Sequence, residues 1–373
     1  MTDLTDTKRP ANRRSFMKMG LAAGGVAAIG SRLFAGSSPA ALPGPPLSSG
    51  DTAILKFLAA AELIEADLWQ QYAELGGLTP GQLPVETAPF TPMNSYQAAF
   101  MNLDPDGPQY ISSNTSDEQS HAAFLNAYLI AKGQEPVDLD AFRTLPSSQA
   151  APAQQIGRLT NLMQLSVDTS WYTRYRSTTN PDFGATFEQA LPQLAAGQFT
   201  AIPKGNDDYT NASHIQAIAN TAAFHFGSIE QGGSSLYFTL AQKVSSLEVL
   251  RILLSIGGDE IAHFLEWVDF SGNSVQPPIA PLKDPTNGLI FPNFDKTVDP
   301  LLQTNLIFPV ACEFISPTLP RCAVIRPTGQ GQTDATGAAN FLIGEGLFIG
   351  QPAKFNELLL NLAQAADAAQ RSS

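Results

Sequence analysis

Histidine and cysteine are the scarce residues of this chain, four of one and two of the other in 373 positions. Cys312 and Cys322 are not spaced as a zinc or rubredoxin-type knuckle, so a thiolate metal site and a built-in iron–sulfur donor module are not expected. In a reducing compartment they would be two unrelated thiols. In an oxidising one they would close a Pro-containing loop as a disulfide. Charge is scarce too: Asp, Glu, Lys and Arg make up 15% of the chain, with 21 basic against 34 acidic residues. A net charge of −13 argues against nucleic acid or an anionic lipid surface as a partner. No apolar run is long enough for a permanent membrane span. Hydrophobic residues are plentiful at 43%, which predicts an ordered globular protein with a sizeable core.

What basic character there is clusters at the start. Asn12-Arg13-Arg14-Ser15-Phe16-Met17-Lys18 precedes the weakly apolar, Gly/Ala-rich run Met19–Ile29. The arrangement resembles a bacterial twin-arginine signal peptide over residues 1–40, with small residues at Ser38-Pro39-Ala40 suited to cleavage. The resemblance implies the twin-arginine export machinery as a partner and a periplasmic or other extracytoplasmic destination. That route carries folded proteins, often with a metal already loaded. Removing residues 1–40 takes away six basic and two acidic residues and leaves the remainder near −17. Residues 41–50 read as a Pro/Gly/Ser linker.

From there the chain is helical in pattern. Asp51 or Thr52 can cap a helix that Gly76-Gly77 stops. Ile54, Leu58, Ala61, Glu65, Leu68, Tyr72 and Leu75 recur at alternating spacings of four and three, the seam of a packed helix. A carboxylate inside such a seam costs several kcal/mol unless something positive meets it. Glu65 sits there, with Tyr72 seven positions on and Glu62 one turn earlier as an alternate. A second helix, capped by Asn114, Thr115 or Ser116, is ended by Gly133 and Pro136. A long insertion follows, with its own amphipathic segment near 152–176, read as an additional crossover helix. A third helix begins near Ser213, and Glu230 with Tyr237 repeats the Glu, Tyr-at-plus-seven pattern. A fourth runs from about Ser246 to Phe270. Residues 271–373 read as a Pro-rich extension lying on the helices, closed by an accessory helix over about 353–370.

One short pattern occurs twice. Asp117-Glu118-Gln119-Ser120-His121 and Asp259-Glu260-Ile261-Ala262-His263 both read D-E-x-x-H. Glu and His three apart share a helix face and can reach one metal ion together. Each half of the domain 51–270 therefore reads seam Glu, Tyr, connection, D-E-x-x-H. Glu65, Glu118, His121, Glu230, Glu260 and His263 make four carboxylates and two imidazoles. Such an oxygen-rich set, with one nitrogen per metal, suits two iron or manganese ions, iron favoured, better than zinc or copper.

These residues, with Ala61-Glu62-Leu63-Ile64-Glu65-Ala66-Asp67-Leu68-Trp69, resemble the ferritin-like superfamily. Within it they resemble exported bacterial ferritin-like domain proteins related to desiccation-response proteins. The resemblance implies an all-α fold: an antiparallel four-helix bundle whose second and third helices are joined by a long crossover. It implies metal ligation at the six positions, with Asp259 orienting His121 and Asp117 orienting His263. Tyr72 and Tyr237 would hydrogen-bond ligand carboxylates or fill core space. Two functions fit equally: an oxidoreductase acting on oxygen or peroxide, and a non-catalytic metal-binding protein of stress protection.

Overall fold

The computed structural model describes residues 45–79, 82, 91–174, 187–294, 309–310, 316, 318–319, 322–323 and 334–372. The twin-arginine segment, and Cys312 with the disulfide expected of it, lie outside them. The described chain is predominantly helical, with nine α-helices and four two-residue strands. The long helices are α1 (Ser49–Gly76), α3 (Gly107–Ala131), α6 (Ala212–Ala241) and α7 (Leu247–Asn273). Between the first two lies α2 (Ser95–Leu103). None of the described helices is long and apolar enough to cross a membrane.

Hydrogen bonds fix how the long helices run. Tyr72 of α1 meets His225 of α6, while Glu62 of α1 meets Tyr237 of α6, so these two are antiparallel. The Thr115 hydroxyl donates to the carbonyl of Trp69, joining α3 to α1 (3.1 Å). The Trp267 indole donates to the Asn114 side chain, joining α7 to α3 (2.8 Å). The Ser271 hydroxyl donates to the Ala223 carbonyl, joining α7 to α6 (2.7 Å). At one level a dry aromatic layer spans the group. Trp69, Phe226 and Trp267 stack with centroids 4.6–5.4 Å apart, a geometry worth about 0.5–1.5 kcal/mol per pair beyond burial.

The helix ends differ from the sequence expectation in instructive ways. α1 starts at Ser49 with Ser48 as its cap, the Ser48 hydroxyl accepting from the Asp51 amide. Asp51, expected as a cap, instead accepts from the Ser245 and Ser246 amides at 2.8 and 3.0 Å, tying the α6–α7 turn to the start of α1. α3 begins at Gly107, earlier than the Asn114–Ser116 cap expected, because Pro108 near its start is compatible with a first helical turn.

The insertion between α3 and α6 is mostly irregular. The amphipathic spacing near 152–176 does not form the expected crossover helix. Among its described residues only α4 (Ser170–Arg174), and later α5 (Pro192–Ala196), are α-helical, and residues 152–169 make isolated bridges, Leu145 with Arg158 and Leu165 with Phe199. Its apolar residues Leu159, Leu162, Leu165 and Val167 are all buried nonetheless. Buried charge on α1 holds the insertion. Asp67 accepts from the Leu159 and Thr160 amides (3.1 and 2.9 Å), the Thr160 hydroxyl (2.7 Å) and Arg143 (2.7 Å). Glu74 pairs with the buried Arg158.

The last hundred residues are more helical than expected. After the hairpin β1 (Leu282–Lys283) with β2 (Ile290–Phe291) and the pair β3 (Pro309–Val310) with β4 (Cys322–Ala323) come α8 (Ala335–Gly344) and α9 (Ala353–Asp367). α9 packs on α1 through its buried stripe Phe355, Leu359, Ala363 and Ala366. Burying a Phe or Leu in this way stabilises by about 1.5–3 kcal/mol. Asp367 closes the corner by accepting from the Ala335 and Thr336 amides at 2.9 and 2.8 Å.

Candidate metal centre

All four long helices contribute carboxylates or imidazoles to one buried region. α3 brings Glu118 and His121 from one face, and α7 brings Glu260 and His263 in the same way. α1 brings Glu62 and Glu65, and α6 brings Glu230. Glu62, Glu118, Glu230 and Glu260 are at most 1% exposed.

Glu118 is the centre of the arrangement. One of its oxygens lies 3.3 Å from Nδ1 of His121 and the other 3.1 Å from Nδ1 of His263. Nδ1 of His121 is also 3.4 Å from Glu62 and 3.8 Å from Glu260. Nδ1 of His263 is 3.4 Å from Glu230. Both rings point outward through Nε2, His121 to Asp259 at 3.2 Å and His263 to Asp117 at 3.4 Å. The outer carboxylates can take the Nε2 proton and leave Nδ1 to face the glutamates. Three sets result among the described residues, each with ligand atoms mutually within 4.8 Å: Glu62, Glu118, His121 and Glu260; Glu118, Glu230 and His263; and, on the outer side, Asp117, Asp259 and His263.

The electrostatics are those of buried carboxylates packed closely around two imidazoles. Burial raises Glu62 to about 8, helped by the nearby Glu118 charge. Burial also raises Glu230 to about 7, against the pull of His263. Glu65 and Glu260 are pushed well up by burial and by neighbouring carboxylates. Burial opposes ionisation of Glu118 as well, yet the hydrogen bond with His121 and the close His263 imidazole overcome it and hold that carboxyl low. Burial would lower both histidines, but the surrounding carboxylates raise them. Packed this closely without a cation, the carboxylates can only share protons.

The donor set fits a metal. One oxygen of Glu62, one of Glu118, and both oxygens of Glu230 and Glu260 are buried without a hydrogen-bond partner. Nδ1 of His263 is close to Glu118 and Glu230 but in hydrogen-bond geometry with neither. Buried polar atoms are ordinarily paired, so orphans concentrated at one point mark a place for an ion. The glycine at 233 supports this. A Cβ there would stand 2.0 Å from Oε2 of Glu260, so α6 is kept bare where that carboxylate enters. The buried Glu/His cluster can hold a metal ion.

The remaining sequence candidates fall into place around this core. Tyr237 donates from its hydroxyl to Glu62. Tyr72 does not reach a site carboxylate; its hydroxyl bonds Nδ1 of the wholly buried His225 at 2.7 Å. Glu65 belongs to none of these ligand sets, although it feels the charges of Glu118, Glu62 and Glu230, and it lines a cavity beside the cluster. The sequence offers both residues, Glu65 in the seam and Glu62 one turn earlier, and Glu62 is the one that stands within a Glu/His set. Glu345, buried near His225 and 3.8 Å from its Nε2, had no motif to reveal it.

No family model, curated protein or solved structure matches this chain.

Proposed function

We propose that the chain is an exported ferritin-like protein whose four long helices form a bundle holding two metal ions, iron in preference to manganese. The observation that carries this reading is the pair of Glu/His sets that share Glu118. Glu62, Glu118, His121 and Glu260 would hold one ion, and Glu118, Glu230 and His263 the other. The oxygen-rich donor set with a single imidazole nitrogen per ion favours these metals. When bound, such a pair supplies redox chemistry toward oxygen or peroxide, and we assign the protein as an oxidoreductase of that kind.

The chain's own residues prepare the site. Asp259 and Asp117 orient the two imidazoles so that Nδ1 faces inward. Tyr237 fixes one Glu62 oxygen by donating to it and leaves the other oxygen free. The layer of Trp69, Phe226 and Trp267 closes one side to water. Export through the twin-arginine route, after folding, would let the ions be loaded before the protein reaches the periplasm.

The test is direct. Protein exported by its native host is analysed for metal content, and its near-UV and visible spectrum is followed before and after peroxide. Two ions per chain and an absorption band that appears and decays with turnover are expected. A metal-loaded, colourless protein inert to peroxide would leave metal binding for stress protection as the function. A protein without metal would overturn the reading altogether.

A further inference from the structure

Beside the metal cluster lies a cavity that neither the repeated motifs nor the bundle explains. Its volume is about 150 Å³. Phe57 of α1, Leu236 of α6, Phe341 and Leu342 of α8, and Leu359 of α9 form its apolar walls. Two of its three helical sides thus belong to the site's own helices, α1 and α6, and the third is built by the C-terminal segment. Gly233 touches both features: it lines the cavity, and its missing side chain makes room for Glu260.

The cavity wall carries two carboxyl groups, a hydroxyl and a side-chain amide. Glu65 is nine-tenths buried as a residue, and its carboxyl group lines the cavity with no hydrogen bond from a described residue. Asp168 and the Ser228 hydroxyl line the wall as well. Both are attached to Glu345: the Ser228 hydroxyl donates to it at 3.4 Å and the Asp168 amide lies 3.5 Å from it. Among the described residues no Lys or Arg lines the cavity, so an anionic guest would meet only negative or neutral groups there.

Size and chemistry together define a guest. A cavity of roughly 150 Å³ with largely apolar walls accommodates a benzene-sized molecule. An unpaired buried carboxyl at its edge asks for one hydrogen-bond donor. We propose that this cavity binds a small, neutral, ring-sized molecule bearing one hydroxyl or amino group, with the apolar body between α1, α6, α8 and α9 and the donor on Glu65. That position sets the polar end of the guest on the carboxylate bordering the metal cluster. The C-terminal segment then selects the guest rather than merely covering the helices. The inference deepens the proposed function by naming a ligand class for the same site, but binding itself does not depend on the metals.

The experiment uses the full chain, with phenol, toluene and benzoate as probes in separate calorimetric titrations and metal content measured on the same samples. Phenol is expected to bind saturably at one site per chain. Toluene, lacking the donor, should bind at least about tenfold more weakly, because it leaves the buried acceptor unpaired. Benzoate should not bind. Ala61→Phe and Ala338→Phe each project bulk into the cavity from a different helix and should abolish phenol binding, with folding checked by thermal melting. Glu65→Gln should narrow the difference between phenol and toluene. Absence of saturable phenol binding, equal binding of benzoate, or unchanged binding in whichever filled variant folds would overturn the inference. Metal content without phenol binding would sink this inference alone. Phenol binding without metal uptake would sink the metal-centre reading alone.

Discussion

Gly233 on α6 and Glu260 on α7 occupy the same space: the place where a Cβ of residue 233 would stand is 2.0 Å from the Glu260 carboxylate. Glycine inside a helix costs about 1 kcal/mol relative to alanine, so its presence in the middle of α6 needs a reason. The reason is access for the carboxylate. Gly233→Ala should leave the fold intact, because the end of a Glu side chain can swing away. Metal content should fall sharply, since Glu260 would leave both the orphaned position and its neighbours. Melting temperature of the metal-free variant should stay level or rise, as helix propensity improves and a buried carboxyl is released. Wild-type metal content in this variant would refute the assignment of Glu260 as a ligand.

Asp259 and Asp117 touch the outer nitrogen of the opposite histidine, at 3.2 and 3.4 Å. Partners of this type typically contribute about 10–100-fold to metal affinity. Asp259→Ala and Asp117→Ala should each weaken metal binding by about that factor while preserving helix content by circular dichroism. The comparison that matters is between the two variants, because each acts on a different histidine. An affinity unchanged in both would mean that the aspartates serve only the surface.

The two D-E-x-x-H segments made much of the site legible from sequence, since periodicity alone puts Glu and His on one face and leaves few places for them to go. The choice between Glu62 and Glu65 was not settled by that route. Both lie on the buried side of α1, and the apolar seam gives no information about which of two adjacent turns faces α3 and α7. The extra helix expected near 152–176 failed for a different reason. Its apolar spacing is real, and Leu159, Leu162, Leu165 and Val167 are buried, but Asp67 captures the Leu159 and Thr160 amides and so replaces helical hydrogen bonds. A long-range bond of that kind leaves no local trace. The wall of the cavity from α8 and α9 was hidden likewise, because an ordinary amphipathic helix does not announce what it covers.

Stability of the metal-free protein should depend on pH in a way set by the cluster. Glu62 and Glu230 are raised to about 8 and about 7, above the ordinary value of about 4.3 for the unfolded chain. Between these values the folded state binds more protons than the unfolded one, so stability falls as pH rises. His121 and His263 are also raised, and their contribution is present in full below about 6.5 and lost as pH climbs through the folded value. Both effects have one sign. Melting temperature in a chelator should therefore drop steadily from about pH 5 to pH 8. With metal bound the trend should flatten or invert, because the ion displaces those protons. A metal-free melting temperature that rises over this range would show that the carboxylates are not protonated in the folded state.

Asp67 separates stability from the metal centre. It is buried, belongs to the same helix as Glu62 and Glu65, and holds two amides of the insertion at 3.1 and 2.9 Å together with Arg143 at 2.7 Å. Asp67→Ala leaves two buried N–H groups without partners, at about 1–3 kcal/mol each, for a total loss of about 2–6 kcal/mol. The insertion should loosen from α1, visible as faster hydrogen exchange at Leu159 and Thr160. Metal affinity of the surviving folded fraction should change far less than in Gly233→Ala, because Asp67 contacts none of the proposed ligands. If Asp67→Ala instead lost metal as completely as the ligand variants at unchanged stability, the separation between scaffold and site drawn along α1 would be wrong.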